Sequence, residues 1–226
     1  MKTLFFVLLL LPFAAGAQGP KFRVAPSDAL NEPGKKQVSD EAQQLAKKAM
    51  VEMAKGDLAG AKRDFQKVLT LAPDNVATTI NLGLVAYRQK QYAEAERLLK
   101  KSLRAQPEAG LGWLVLGVIF YDQEKLDAAL AALAQAALLE PKNATVHQYL
   151  GVTVGKKGWL SGAEDELRKA IEIEPGYAEA HFNLAVFYLQ RNPPSVELAR
   201  RHYQKALDLG AAPDADVARS LAEPKE

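Results

Sequence analysis

The 226-residue chain contains no cysteine. Disulfides, thiolate nucleophiles and zinc–thiolate sites are therefore excluded. Histidine is scarce as well. His147, His181 and His202 are the three present, and no pair has the H-E-x-x-H spacing of a metalloprotease helix. Charge of either sign is not in surplus. With 29 Lys and Arg against 27 Asp and Glu, the formal net charge is +2, which argues against the basic stripe of a nucleic-acid binder. No block of like charge is long enough to act as a tail. Long apolar runs are missing too: Leu4 to Phe13 is the most extended, about half the ~20 residues of a membrane-spanning helix.

What is present at the start reads as an export signal. Met1 and Lys2 open a short positive region, the apolar run follows, and Ala15-Gly16-Ala17 puts small residues where a signal peptidase inspects the chain. Cleavage is expected before Gln18, giving a signal peptide over 1–17 and a periplasmic or secreted product of net charge +1. Retention as an anchor is the competing reading. No cysteine follows the small residues, so this is not a lipoprotein signal. Residues 18–38 carry Gly19-Pro20, Pro26-Ser27 and Asn31-Glu32-Pro33-Gly34 without an apolar period, which predicts a flexible linker.

The rest of the chain is organised by a period of 34. Pro73, Pro107, Pro141 and Pro175 stand 34 residues apart. So do Gly83, Gly117 and Gly151, with Ala185 in the next slot, and Ala61, Ala95, Ala129 and Ala163. Several residue classes sharing one register predict stacked helix–turn–helix units. Proline closes each unit, since it cannot continue a helix and biases its predecessor away from helical geometry. The small residue in each first helix lets the second helix approach. Gly56-Asp57 and Lys157-Gly158 supply tight turns between the helices. Asn192-Pro193-Pro194-Ser195 lengthens the last such turn by two residues. Acidic-before-basic pairs at i, i+4 (Glu96 with Lys100, Glu164 with Arg168, Asp165 with Lys169) predict a solvated outer face.

These markers resemble the tetratricopeptide repeat (TPR) family, over roughly residues 40–211. The third unit carries the likeness best, with Trp113, Leu116-Gly117, Phe120, Ala129, Leu133, Ala136 and Pro141. In the first, Lys48 and Ala49 replace the Leu-Gly pair. The resemblance implies an all-α, right-handed superhelical solenoid of about five repeats. Its domain would span 39–213, with units near 42–75, 76–109, 110–143, 144–177 and 178–213. Residues 214–226 would form a capping helix and tail, with Val217 and Leu221 covering the last unit.

In this family the first helices line a concave groove where partners bind. Carried over, the groove positions begin with Met50 in the first unit, beside Gln43, Ala46, Lys47 and Met53. The second unit supplies Ile80, Asn81, Leu84, Tyr87 and Arg88, and the third Leu111, Leu114, Val118 and Tyr121. The fourth supplies Gln148 and Val152, and the fifth Phe182, Asn183 and Val186. The middle of this set is apolar. It is open to two readings, an exposed patch that binds a partner or packing between neighbouring first helices. The equivalent Asn81 and Asn183 suit an extended peptide backbone. Chaperone-binding members hold a C-terminal carboxylate with cationic and amide side chains. Ala46 and Met50 in the first unit argue against that mode and favour an apolar helix or strand.

Catalytic patterns fail on inspection. Gly151 to Lys156 is one residue short of a phosphate-binding loop and falls inside a helix. Gly158 to Gly162 misses the nucleophile-elbow spacing. His147 and His181 occupy the slot of Trp113, as interfacial rings, and His202 is expected to be solvated. Asn143-Ala144-Thr145 is a glycosylation sequon, relevant only in a eukaryotic secretory route. The expectation is a non-enzymatic interaction scaffold or adaptor with no cofactor, no metal and no nucleic-acid partner. The alternatives are a self-assembling structural protein and a chaperone-like accessory of envelope assembly or secretion.

Overall fold

A computed structural model of the chain describes residues 38–222. The expected signal peptide, nearly all of the linker and the last four residues lie outside the described residues. Eleven helices and no strand occur among those described. They fall into two compact units. The N-terminal unit holds α1 (Asp40–Ala54), α2 (Leu58–Leu71), α3 (Val76–Arg88), α4 (Tyr92–Ala105), α5 (Gly110–Asp122) and α6 (Leu126–Leu139). The C-terminal unit holds α7 (Ala144–Lys156), α8 (Leu160–Ile173), α9 (Ala178–Gln190), α10 (Val196–Asp208) and α11 (Ala215–Ala222).

Local chemistry sets the helix ends. α2, α4, α6 and α8 each stop two residues before Pro73, Pro107, Pro141 or Pro175. At the starts, side-chain oxygens of Ser39, Asp57, Asn75 and Asn143 accept from backbone amides two or three residues on. Asn143, the sequon residue, is thus the N-cap of α7. The turn inside each of the first four hairpins needs one residue in the left-handed region. Gly56 (φ 83°) and Gly158 (φ 85°) take it without strain, but Lys90 (φ 59°) and Glu124 (φ 58°) hold the same slot with a side chain.

The cores form where small residues let helices meet. In three successive hairpins a glycine of the first helix faces a leucine 16 residues on: Gly83 and Leu99, Gly117 and Leu133, Gly151 and Leu167. The alanines of the second helices, Ala61, Ala95, Ala129, Ala163 and Ala199, have no solvent exposure. In the first hairpin the equivalent positions are Ala49 and Phe65, both without solvent exposure, and an ion pair stands next to them in the register. Lys48 Nζ bonds the fully buried Asp64 Oδ2 at 2.6 Å, and that bond holds the Asp64 carboxyl below its ordinary range. At the other end, α11 lays Val217 and Leu221 into the C-terminal unit's core. Tyr203 Oη accepts from the Asp214 amide and donates to its carbonyl, at 2.8 and 3.1 Å.

The outer-face pairs are only partly as expected. Glu96 and Lys100 meet at 2.5 Å on the surface. Lys169 bonds Glu166 at 2.7 Å, not the expected Asp165. Glu164 is not solvated at all. It is buried, and its carboxylate accepts from Tyr188 Oη (2.8 Å), Arg168 (2.6 Å) and Arg191. Tyr188 on α9 and Arg191 just after it close over Glu164, which no spacing within α8 could reveal.

Candidate functional site

The first-helix faces were the candidate site, and burial divides them. In the N-terminal unit, Met50, Arg88 and Leu111 are half-buried, and Leu84, Leu114 and Val118 are at most 1 % exposed. Ile80 and Asn81 are buried as well, while Tyr87 and Tyr121 keep 8 % and 6 % exposure. In the C-terminal unit, Phe182 is half-buried, Val152 and Val186 are interior, and Gln148 and Asn183 are buried. The expected exposed apolar patch is therefore corrected. Each inner first helix is flanked by its own second helix and by elements of its neighbours, as α3 is by α4, α2 and α5. Its apolar residues are spent on those contacts. What reaches the surface is a strip of ring edges, amides and a few long side chains.

The edge of that strip in the N-terminal unit is pinned by bonds between successive first helices. Arg88 donates to the Met53 carbonyl at 3.1 Å, joining α3 to α1. Tyr87 Oη donates to Asp122 Oδ2 at 2.8 Å, joining α3 to the end of α5. Burial and the Asp122 charge both push the Tyr87 phenol upward, so it stays a donor. The face is accordingly held in place before any partner arrives.

A second repeated device lies at the Trp113 slot. Trp113 Nε1–H donates to the Pro107 carbonyl at 2.7 Å. His147 Nε2 makes the same bond to Pro141 at 2.9 Å, and His181 Nε2 to Pro175 at 3.3 Å. A ring nitrogen six residues after the proline thus satisfies the proline carbonyl in the turn between units. Thr79, in the second unit, turns instead to the Asn75 carbonyl at 2.9 Å. The register placed these rings at an interface; the carbonyl they serve was visible only in three dimensions.

The two histidines differ in their other nitrogen. His147 Nδ1 faces Glu166 Oε2 at 2.7 Å. With a carbonyl and a carboxylate on its two nitrogens, both must donate, and the Glu166 bond raises the imidazole above its ordinary pKa. His181 Nδ1 faces His202 Nδ1 at 2.9 Å. His202 is half-buried between His181 and Tyr188, which corrects the expectation that it is solvated. Burial first, then the neighbouring His181 and the Arg201 and Arg168 guanidiniums, push it down to about 4. Among the described residues, no group of three or more histidine or acidic side chains is placed to hold a metal ion.

Comparison with known proteins agrees with this architecture. Tetratricopeptide repeat profiles match residues 52–119 and 166–208. No curated protein matches the chain significantly. Among solved structures, MamA is 27 % identical with a TM-score of 0.60, covering 71 % of this chain and 93 % of that one. YrrB, described as a TPR protein with an unusual peptide-binding site, is 26 % identical at TM-score 0.59, covering 80 % and 90 %. The pilF protein of Pseudomonas aeruginosa shares the fold at TM-score 0.71 and 17 % identity, covering 80 % of each chain. Paired helices, proline-closed units, glycine-mediated crossings and two profile matches place this chain in the tetratricopeptide repeat family.

Proposed function

We propose that this protein is an exported, non-enzymatic interaction scaffold whose first-helix faces receive a segment of a partner protein. One observation carries the reading: the first helices that bear half-buried Met50, Arg88 and Leu111 and the ring edges of Tyr87 and Tyr121 are already tied together by the Arg88–Met53 and Tyr87–Asp122 bonds. A face ordered in advance loses little entropy on binding. In the C-terminal unit, Phe182 beside Gln148 and Asn183 offers the same combination of ring and amide. The peptide-binding site of YrrB supports the general mode. Because the aliphatic middle is interior, the partner is read by rings, amides and Arg88 more than by Leu84 or Leu114. About micromolar affinity, roughly −8 kcal/mol, suits such a short contact.

Export rests on Lys2, the apolar run and Ala15-Gly16-Ala17. No described helix is long and apolar enough to cross a membrane.

The test is a photo-crosslinking residue at half-exposed Leu111 in the native host, with exposed Arg97 as control. One dominant partner from position 111 and not from 97 supports the groove. Cross-links only to a second copy, or equal labelling from both positions, refute it in favour of self-assembly. With the cross-linker at position 111, Met50→Glu is expected to abolish the cross-linked complex with helicity unchanged. Leu84→Glu and Leu114→Glu are unsuitable, because both side chains are core.

A further inference from the structure

Outside the candidate groove, one side-chain cluster has no role in the reading above. In the C-terminal unit, His181 on α9 and His202 on α10 face each other nitrogen to nitrogen, Nδ1 to Nδ1 at 2.9 Å, with ring centroids 5.2 Å apart. The Pro175 carbonyl accepts from His181 Nε2, so that nitrogen carries the hydrogen and His181 Nδ1 is a bare acceptor. His202 Nδ1 must then donate. The pair is locked in one tautomer set by a backbone carbonyl.

We propose that the His181–His202 contact is a proton-operated latch that holds α9 against α10 at neutral pH and lets this helix pair open in acid. The bond tolerates one added proton, which enters at His202 Nε2 and leaves the Nδ1–H···Nδ1 bond in place. A second proton has nowhere to go. It would set two N–H groups face to face and put two cations side by side.

The surroundings oppose even the first. From α8 come Glu164 and Arg168, from α9 Tyr188, from the turn after it Arg191, and from α10 Arg201 and Lys205. Glu164 is the one anion among these groups, and its oxygens are engaged by Arg168, Arg191 and Tyr188. Tyr188, stacked 5.6 Å from His202, is held there by that same carboxylate. No carboxylate among these groups is left free to pair with an imidazolium. Consistent with this, burial lowers His181, and burial, then His181 itself, then Arg201 and Arg168 bring His202 to about 4.

The linkage has a definite sign. Once α9 and α10 separate, both rings return toward the ordinary 6.5. The open form then binds protons that the closed form refuses, so opening is favoured as pH falls from 6.5 toward 4. Each refused proton shifts the opening equilibrium up to about tenfold per pH unit, and two shift it up to about a hundredfold. His147, one repeat earlier in the same slot, has Glu166 instead of a second imidazole and responds in the opposite sense. The arrangement is therefore particular to the last repeat and not a property of the slot.

Native-state amide exchange of the full chain between pH 7 and 4, corrected for intrinsic rates, reads this directly. Relative to α3 and α4, the α9 and α10 amides should open about ten- to a hundredfold more per pH unit below 6.5. His202→Gln keeps a donor toward His181 Nδ1 but cannot be protonated, and should reduce that slope by about one proton. His147→Gln should leave it in place. Pulse-labelled nitrogen NMR of the unmodified protein supplies a second reading in case the variant does not fold. His202 should carry its hydrogen on Nδ1 and His181 on Nε2, both titrating below 6.5. An α9–α10 opening indifferent to pH, a His202→Gln slope equal to that of the parent, the reverse tautomers, or titration at 6.5 or above would each overturn the latch.

Discussion

Gly117 gives the sharpest test of the packing argument. A methyl group built on its Cα would lie 2.6 Å from Leu133 Cγ, 2.9 Å from Cδ2 and 3.3 Å from the Leu133 backbone nitrogen. Ordinary carbon contacts sit near 3.5–4.0 Å. Leu133 has no exposure and cannot swing aside. Overpacking of this kind typically costs about 1–3 kcal/mol, while alanine in mid-helix regains about 1 kcal/mol over glycine. With a contact as short as 2.6 Å the upper part of that range, about 2–3 kcal/mol, applies, and Gly117→Ala is expected to lose about 1–2 kcal/mol, or roughly 2–8 °C in Tm for a chain of this size. Gly83→Ala sets the scale, because its methyl would meet Leu99 at 3.1 and 3.2 Å and the Ala95 carbonyl only at 3.6 Å. Helix propensity then offsets the milder crowding, and the change should stay within about 0.5 kcal/mol. Gly151→Ala falls between, with Leu167 at 2.9 Å and the unyielding Ala163 carbonyl at 3.1 Å. Thermal and urea unfolding followed by circular dichroism gives the order. Leu133→Ala alone should cost about 2–5 kcal/mol, and less on the Gly117→Ala background because the methyl then has room. Gly117→Ala as stable as the parent, or Gly83→Ala worse than Gly117→Ala, would refute the close-approach explanation.

The remaining predictions concern strain and charge. Lys90→Gly and Glu124→Gly should each stabilise the protein by about 0.5–1 kcal/mol, since both residues hold a left-handed turn that Gly56 and Gly158 hold freely; a loss in urea unfolding would mean that their side chains matter more than their backbone. Glu166→Gln should bring the His147 imidazole down toward or below 6.5 in an NMR titration. His147 is raised, so its stabilising share is complete below 6.5 and is lost as pH rises through its folded value. Glu166 is lowered, burial pushing it up but the His147 and Lys169 bonds outweighing that, so its share is lost as pH falls. The pair is therefore strongest between about 4.5 and 6.5, and an unchanged His147 titration in the variant would disprove it.

Much of the fold was legible because its causes are local. Proline stops a helix wherever it stands, so Pro73, Pro107, Pro141 and Pro175 mark helix ends two residues upstream without any knowledge of packing. The glycine and alanine register likewise reports which helix faces meet, since only small residues admit the close approach found at Gly83, Gly117 and Gly151. The candidate site was less legible. An apolar residue on a first helix reads the same whether a neighbouring helix or a partner covers it, and Leu84, Leu114 and Val186 turned out to be covered already.

The sequence by itself determined the repeat length, the helix boundaries and the small-residue crossings, because proline geometry, turn chemistry and steric access act within one unit. Tertiary structure alone decided which polar groups become neighbours. His202 sits against His181 across 21 residues, Glu164 gathers Tyr188 from α9 and Arg191 from the turn after it, and Tyr87 finds Asp122 one repeat on. Those meetings depend on the angle and rise between packed helices, which periodicity does not encode, and they set the protonation and rigidity that the repeat pattern leaves open.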